Sequence, residues 1–336
     1  MRRRIAQRIG LPDIGLAKGS TLKNILVTGA YGFLGRHVAR HYANENWRVI
    51  GLGRGSWTKS EAEAWGIETW LAGDVDSTNL DRAAAFASGS IDAIFHAAGT
   101  GSVQNAQSDP LGALRQSVLS TGEVLDFLRV RAPGARLVFP SSAAVYGIAA
   151  AEPLSEGRPL APVSIYGAHK AMCESLIVSY VLAFGLKATI VRYFSIFGRG
   201  LRKQLVWEVC QRLERNRGKL ELFGDGGETR DMIHVDDAST IAWLGVECVT
   251  DPLMVVNGAT GKAVTVRTIA AALSNLMNGA EPKFTGVTRP GDPRHYEADI
   301  RKLEMIGFVP RWSLEDGLAD YVNWWCSQRE DDRAPL

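Results

Sequence analysis

The sequence predicts an α/β fold built on a doubly wound parallel sheet, with a second, smaller α/β lobe. Short apolar runs alternate with long stretches of helical pattern, and after Phe194 the spacing becomes irregular and richer in Arg, Gly and Pro. Short, nearly continuous apolar runs are typical of parallel strands that helices cover on both faces. An order of strand, helix, strand implies right-handed crossovers. The predicted strands lie at residues 25–27, 49–52, 93–95, 137–139 and 189–191, and the long helical stretches at 110–131 and 165–184.

A glycine-rich turn follows the first predicted strand. Gly29, Gly32 and Gly35 have the spacing of a loop that binds the diphosphate of a dinucleotide. Such glycines allow a tight turn, a close approach of the backbone to the pyrophosphate and close packing of the next helix. That helix presents unpaired N–H groups to the phosphates. We therefore predict cofactor contacts from Gly29, Tyr31, Gly32, Phe33, Leu34 and Gly35.

A tyrosine and a lysine farther along the chain indicate acid/base chemistry beside that cofactor. Tyr166 and Lys170 are four residues apart, and Ser142 closes a predicted strand. Residues at this spacing share one helix face. A phenol titrates near 10 in water, and a neighbouring cation lowers its pKa. We predict Tyr166 as the catalytic acid/base, Lys170 as the cation that lowers its pKa, and Ser142 as the hydroxyl that binds the reacting oxygen.

Composition excludes several other classes of protein. The formal net charge of +2 offers no broad basic surface for nucleic acid. The four cysteines are scattered and show no metal-binding spacing, as expected for free thiols in a reducing compartment. No apolar stretch approaches the length of a membrane span, and the basic N-terminal segment lacks the apolar region of a signal peptide. We expect a cytoplasmic protein that binds neither metal nor membrane.

These motifs resemble those of the extended short-chain dehydrogenase/reductase family, often called the NAD-dependent epimerase/dehydratase family. Several further segments of the chain match the family in the same order along the sequence. The resemblance runs from about Asn24 to Trp325. The further matching segments are residues 73–76, 96–99, 224–231, 234–237 and 289–292. The family resemblance implies that Asp74 and Val75 lie near the adenine, and that Ala97, Ala98, Gly99 and Tyr193 line the cofactor.

The resemblance also implies a domain organisation and a substrate. Residues 1–21 would be a tail, 22–194 a Rossmann-type dinucleotide-binding domain to which 231–258 return, and 195–230 with 259–330 a substrate lobe. Family members bind a nucleoside-diphosphate sugar in that lobe. Ser195 stands where many relatives have asparagine, and its side chain is too short to reproduce an amide contact. The implied substrate-binding residues are Ser142, Ser195, Gln204, Phe223, Arg230, Arg289 and Asp292.

The end of the second predicted strand bears on the choice of cofactor. NAD-selective sites usually carry an acidic residue there, which binds the ribose 2′-hydroxyl. Here that position is Gly53, and Arg54 follows it. A guanidinium can pair with the 2′-phosphate of NADP. We therefore expect NADP(H) in preference to NAD(H).

The residues after Ser142 reduce the number of reactions that the family resemblance allows. Family dehydratases place an Asp-Glu pair there, and related decarboxylases a glutamate, whereas this chain has Ala143 and Ala144. Two reactions at C4 of the sugar remain. Arg54 favours NADPH-dependent reduction of a nucleotide-linked 4-keto sugar. The alternative is NAD-dependent 4-epimerisation, since residues 142–147 resemble those of UDP-galactose 4-epimerase-type enzymes.

Two further expectations concern the loss of catalytic activity and the oligomeric state. A catalytically silent dinucleotide-binding regulator would generally have lost the tyrosine or the lysine, and both Tyr166 and Lys170 are present. Family members pair as homodimers through two helices of each subunit. The resemblance implies that the helical stretches at 110–131 and 165–184 form that interface.

Overall fold

A parallel seven-stranded sheet forms the centre of the protein. The computed structural model describes residues 22–88, 90–148, 152–287 and 294–328. The strands are β1 (Asn24–Thr28), β2 (Arg48–Gly53), β3 (Thr69–Ala72), β4 (Ala93–His96), β5 (Arg136–Ser142), β6 (Lys187–Tyr193), β7 (Ser195–Phe197), β8 (Leu220–Leu222), β9 (Thr229–His234), β10 (Leu253–Gly258), β11 (Ala263–Thr265) and β12 (Pro282–Phe284). The large sheet has the order β10-β6-β5-β4-β1-β2-β3, and all its neighbours are parallel. The predicted doubly wound α/β class is confirmed.

Helices cover both faces of this sheet. The α-helices among the described residues are α1 (Phe33–Asn44), α2 (Lys59–Ala64), α3 (Ser77–Phe86), α4 (Val103–Ser108), α5 (Pro110–Leu114), α6 (Ser120–Arg131), α7 (Ile165–Phe184), α8 (Gln204–Arg215), α9 (Val235–Glu247), α10 (Val266–Leu276), α11 (Arg301–Met305) and α12 (Leu314–Ser327), of which α8, α10 and α12 belong to the second lobe. Alternate residues of a strand face opposite sides. Ile25 and Val27 accordingly pack in the core with α1 and α9, whereas Leu26 packs in the core with α3, α6 and α7.

The second lobe has its own core. A three-stranded sheet, β11-β9-β7, and the β12-β8 pair lie with α8, α10 and α12. Trp207 of α8 and Trp325 of α12 make an edge contact with ring centroids 4.6 Å apart. Strand β10 and helix α9 belong to the large sheet and its core. The exact domain boundaries stay a prediction, and residues 1–21 lie outside the described residues.

A buried ion pair joins the helix that carries Tyr166 and Lys170 to the sheet. Glu174 of α7 and Arg192 of β6 are 4% and 6% exposed, and Arg192 Nη2 donates to Glu174 Oε2 at 2.7 Å. The Ser141 hydroxyl of β5 also donates to Glu174. Arg192 Nη1 donates to the phenol oxygen of Tyr146, which in turn donates to Asn257 Oδ1 of β10 at 2.7 Å. One carboxylate therefore fixes α7 against β5 and β6.

The predicted dimer helices carry exposed apolar side chains. Leu111, Leu119 and Val130 are 57%, 55% and 57% exposed on the 110–131 stretch, where a π-helical turn at Arg115–Leu119 separates α5 from α6. Met172, Leu182 and Phe184 are exposed on α7. The homodimer stays a prediction. Within the described residues, no helix combines the length and apolar character needed to cross a membrane.

The ion pair leads to a stability prediction. Glu174→Gln keeps the size of the side chain but leaves the Arg192 guanidinium buried without its charge partner. Breaking a buried pair on one side costs about 3–5 kcal/mol, so urea unfolding should show a loss of that order. The control is Asp126→Asn, which breaks the exposed Arg129–Asp126 pair and should cost about 1 kcal/mol or less. Equal losses in the two variants would contradict the assignment.

Candidate active site

The glycine loop has the geometry of a diphosphate-binding turn. Gly29 lies at φ +68°, and a Cβ there would lie 2.6 Å from the backbone of Ala97. A Cβ at Gly35 would lie 2.3 Å from the Gly29 oxygen. Gly32 caps the N-terminus of α1 with no side chain over its first N–H groups. These N–H groups and the positive end of the helix dipole fit a pyrophosphate.

The other predicted residues of this loop divide between backbone and side-chain roles. Phe33 and Leu34 begin α1 and offer their N–H groups, while their side chains pack against the cores of the two lobes. Tyr31 packs against Trp57, with ring centroids 4.8 Å apart, and Trp57 packs against Trp70 at 5.2 Å. This aromatic cluster supports the loop after β2.

Arg54 and Asp74 lie side by side at the adenine end of the predicted cofactor site. Arg54 Nε is 3.8 Å from Asp74 Oδ1, and Arg54 Nη2 donates to Gln116 Oε1 at 2.8 Å. Both charged side chains are largely exposed. Any phosphate that met the Arg54 guanidinium would therefore also meet a carboxylate. Val75, next along the chain, packs against the sheet core.

The loop after β4 is held by buried polar side chains. His96 is fully buried, and its Nδ1 lies 2.7 Å from the Thr28 hydroxyl. Burial lowers the pKa of His96 to about 3, so its ring is neutral. Ser117, from the π-helical turn, accepts a hydrogen bond from the Thr100 N–H at 3.1 Å. These contacts fix the backbone of Ala97, Ala98 and Gly99 beside Gly29, as expected of residues that line a cofactor.

Ser142, Tyr166 and Lys170 converge where β5 ends and α7 begins. Ser164 caps α7 by accepting from the Gly167 N–H. The Ser142 hydroxyl lies beside Tyr166 and lowers the pKa of the phenol, while burial, the larger effect, raises it. Lys170 Nζ donates to the Pro140 carbonyl at 2.7 Å. That Lys170 lowers the pKa of Tyr166 stays a prediction, and in this structure one of its N–H groups is directed to the end of β5.

Lys170 is nevertheless charged at neutral pH. Burial lowers its pKa to about 8. Its ammonium has three N–H groups, and the Pro140 carbonyl accepts one of them. It also lies 4.6 Å from the centroid of the Phe139 ring. Lys170 can thus hold a cofactor hydroxyl and keep a positive charge beneath the reacting atoms.

Sequence reasoning missed Lys203. Its ammonium donates to the Gly101 carbonyl at 2.7 Å, so it bridges the second lobe and the loop after β4. A Cβ at Gly101 would lie 3.0 Å from Lys203 Nζ, so glycine makes room for the lysine. Burial lowers the pKa of Lys203, and its charge contributes to the lowered pKa of Lys170. The sequence shows a lysine next to the predicted substrate residue Gln204. Only the fold shows that this lysine contacts Gly101.

The predicted substrate residues lie on the second lobe, at several strand and helix ends. Ser195 begins β7, Phe223 follows β8, and Arg230 lies in β9. Gln204 begins α8 with φ +66°, a conformation that is strained for a residue with a side chain. Arg289 and Asp292 lie outside the described residues.

Tyr296 is a second residue that sequence reasoning missed. Its hydroxyl donates to the Ala143 carbonyl at 3.3 Å, and its ring packs against Phe194 at 5.8 Å. Burial raises its pKa to about 12, with the charge of Arg230 opposing and Tyr166 adding to the rise. Tyr296 therefore lies between the predicted acid/base and the predicted phosphate-binding arginine.

The side chains of Tyr193 and of His234, in the matching segment 234–237, make contacts within the protein. Tyr193 is 4% exposed, and its hydroxyl donates to the Ala238 carbonyl at 2.8 Å. A cofactor contact through its side chain is therefore not supported. His234 accepts from the Asp236 N–H at the start of α9 and stacks on Trp312 at 4.0 Å. Both side chains serve packing.

The chain is similar to known proteins in both sequence and structure. Residues 25–252 match the NAD-dependent epimerase/dehydratase family. A UDP-glucose 4-epimerase of Azospirillum brasilense is 29% identical over 90% of this chain and 91% of its own. The structure of a UDP-N-acetylglucosamine 4-epimerase from Methanobrevibacter ruminantium, in complex with UDP-N-acetylmuramic acid, superposes with a TM-score of 0.82, 26% identity and coverage of 92% of this chain and 100% of the other. The structure of the Thermus thermophilus UDP-glucose 4-epimerase complex with NAD superposes with a TM-score of 0.81 and 25% identity. The match covers 90% of this chain and 99% of the other.

The glycine loop, the Ser142–Tyr166–Lys170 group and the match over most of the chain agree with one another. The recognition made from the sequence is confirmed. This chain belongs to the NAD-dependent epimerase/dehydratase family.

Proposed function

We propose that this protein is an NAD-dependent 4-epimerase of a UDP-linked sugar. The observation that carries the proposal is the convergence of Ser142, Tyr166 and Lys170 where β5 ends and α7 begins, in a chain whose near full-length relatives are named as UDP-sugar 4-epimerases. The relatives support this alternative better than the 4-keto sugar reductase that the sequence analysis placed first. Ala143 and Ala144 leave no carboxylate for dehydration at those positions.

The residues of the site divide the chemistry at C4. A bound nicotinamide supplies the acceptor, and later the donor, of the hydride at C4. Tyr166 would take the proton of the 4-hydroxyl during oxidation at C4 and would return it to the same oxygen during the reduction that follows. Ser142 holds that oxygen during both transfers. Lys170 holds the cofactor ribose and supplies positive charge near Tyr166 while the phenol is deprotonated.

The second lobe provides the groups for the nucleotide and the sugar. Arg230 and Lys203 are cations suited to the diphosphate, and Tyr296 lies beside Arg230 and Tyr166. Epimerisation requires the 4-keto sugar to rotate in the site between the two hydride transfers, so that its other face receives the hydride. Binding through the diphosphate, to Arg230 and Lys203, would leave the sugar free to make that rotation. A reductase has no need of such rotation.

The cofactor assignment follows from the Arg54–Asp74 pair. The preference for NADP is not supported, since the neighbours solved with a cofactor contain NAD. The Asp74 carboxylate, 3.8 Å from the Arg54 guanidinium, opposes the attraction of Arg54 for a 2′-phosphate. We infer that Gly53 and Arg54 are compatible with NAD.

This pair generates a test of cofactor selectivity. The wild type should bind NAD more tightly than NADP in fluorescence titrations at fixed ionic strength. Asp74→Asn should raise NADP affinity by up to about fivefold, the scale of an exposed charge interaction, and leave NAD affinity nearly unchanged. The control, Asp81→Asn, removes an exposed carboxylate that pairs with Arg131. A wild type that prefers NADP would overturn the assignment.

The activity itself is tested with UDP-glucose, UDP-galactose and their N-acetyl and uronic acid counterparts. With NAD present and no other redox partner, at least one sugar should convert to its C4 epimer, as measured by chromatography or NMR. Tyr166→Phe should reduce turnover by about 10²–10⁴-fold while NAD binding persists. Tyr180→Phe, on the same helix, is the matched control and should keep wild-type turnover.

Two results would contradict the proposal. One is NADPH-dependent reduction of a 4-keto UDP-sugar with no epimerisation of any sugar tested. The other is near wild-type epimerisation by Tyr166→Phe, which would remove the phenol from the mechanism.

A further inference from the structure

A lysine of the second lobe is bonded to the loop that lines the predicted cofactor site. We call residues 97–101, which follow β4, the cofactor loop. Lys203 Nζ donates to the Gly101 carbonyl of this loop at 2.7 Å. Gly101 has no side chain, and a Cβ there would lie 3.0 Å from the ammonium. The glycine therefore leaves room for a contact that joins the cofactor loop to the second lobe.

The backbone on both sides of Lys203 is fixed in the core of the second lobe. Leu201 is 2% exposed, and its carbonyl accepts a hydrogen bond from the Tyr321 hydroxyl at 2.7 Å. Val206 and Trp207, in the first turn of α8, are buried in the same core. These contacts before and after the lysine set the point from which its side chain leaves the backbone.

The bend at Lys203 is strained. Lys203 is extended at φ −161°, and Gln204 follows it at φ +66°, a conformation that costs free energy for a residue with a side chain. Such strain persists only where the surrounding structure enforces it, and it is common at functional sites. Lys203 is exposed as a residue, yet burial lowers the pKa of its ammonium. The charged end of the side chain therefore lies among protein atoms.

The other contacts of the cofactor loop come from the large sheet and its helices. The Ala97 N–H donates to the Thr28 carbonyl of β1 at 3.0 Å. The Thr100 N–H donates to the Ser117 hydroxyl at 3.1 Å. The contact with Lys203 adds a hold from the opposite lobe, at the end of the loop that leads into α4.

We propose that Lys203 is a positioning residue for the cofactor: by its bond to Gly101 it keeps the cofactor loop in place beside a bound nicotinamide dinucleotide and slows the release of that dinucleotide. In the proposed epimerisation the cofactor must stay bound between the two hydride transfers, so slow release suits that reaction. An ammonium has three N–H groups, and the bond to Gly101 leaves others for the substrate diphosphate. The inference rests on the proposed cofactor site but not on the reaction at C4.

The experiment measures how fast NADH leaves the full-length protein with no sugar present. NADH fluorescence is followed by stopped flow after mixing with excess NAD, which displaces it. Lys203→Met removes the ammonium and keeps most of the side-chain length, and it should speed release by about three- to tenfold, the size of one net hydrogen bond. Lys203→Arg keeps a charged donor and should restore slow release. Lys283→Met, which removes an exposed lysine of β12 in the second lobe, is the control and should release NADH at the wild-type rate.

Hydrogen exchange separates positioning of the loop from direct contact with the cofactor. Peptides that span residues 97–101 are followed by mass spectrometry in the full-length protein without added cofactor. Their exchange should be faster in Lys203→Met than in the wild type and unchanged in Lys283→Met, because the loop has lost its bond to the second lobe.

Three results would overturn the proposal. The first is release from Lys203→Met at the wild-type rate, and the second is fast release that Lys203→Arg does not slow. The third is faster release with unchanged exchange of the cofactor loop, since the lysine would then touch the cofactor itself. These results leave the proposed function intact, whereas a wild type that binds no NADH would contradict both.

Discussion

The buried contact between Glu174 and Arg192 is the interaction on which the site depends. Glu174 lies one turn beyond Lys170 on α7, and its carboxylate accepts from Ser141, the residue before Ser142, and from Arg192. The register between α7 and the end of β5 therefore decides whether the Ser142 hydroxyl meets Tyr166. A pair this deeply buried contributes little net stability but is costly to break on one side. Its contribution is to hold α7 in a fixed register against the end of β5.

The same network reaches the second lobe. Arg192 bonds Tyr146, Tyr146 bonds Asn257, and Asn257 donates to the carbonyls of Leu154 and Asp299. Lys203 of the second lobe also contacts Gly101 of the loop after β4. The contacts that join the two lobes thus include this buried network and this lysine. Residues far apart in the sequence set the position of the reacting groups.

The central sheet could be predicted because its inner strands are almost wholly buried, so that their apolar runs are unmistakable. Strand β3 escaped prediction because it lies at the edge of the sheet, where Thr69 and Trp70 are only half-buried. The three-residue strands of the second lobe are too short for any periodicity to show. Their pairing depends on side chains from distant segments.

That Tyr166 and Lys170 share one helix could be predicted because they are only four residues apart. Contacts across the fold could not be predicted in this way. Arg54 indicated NADP only while its neighbour Asp74 was assigned separately to the adenine, and the Ala238 carbonyl that accepts the Tyr193 hydroxyl lies in another segment. Lys203 and Tyr296 have no motif of their own, and their partners Gly101 and Ala143 come from other segments.

The central claim is that one hydride leaves C4 and returns to the same carbon without leaving the site. The most direct measurement uses a UDP-sugar deuterated at C4, incubated with the protein, NAD and an excess of unlabelled NADH. The account predicts that the C4 epimer retains its deuterium, as read by NMR and mass spectrometry. An epimer that has lost the label to the NADH pool, or a product that gains hydrogen at C4 only from added NADPH, would contradict it.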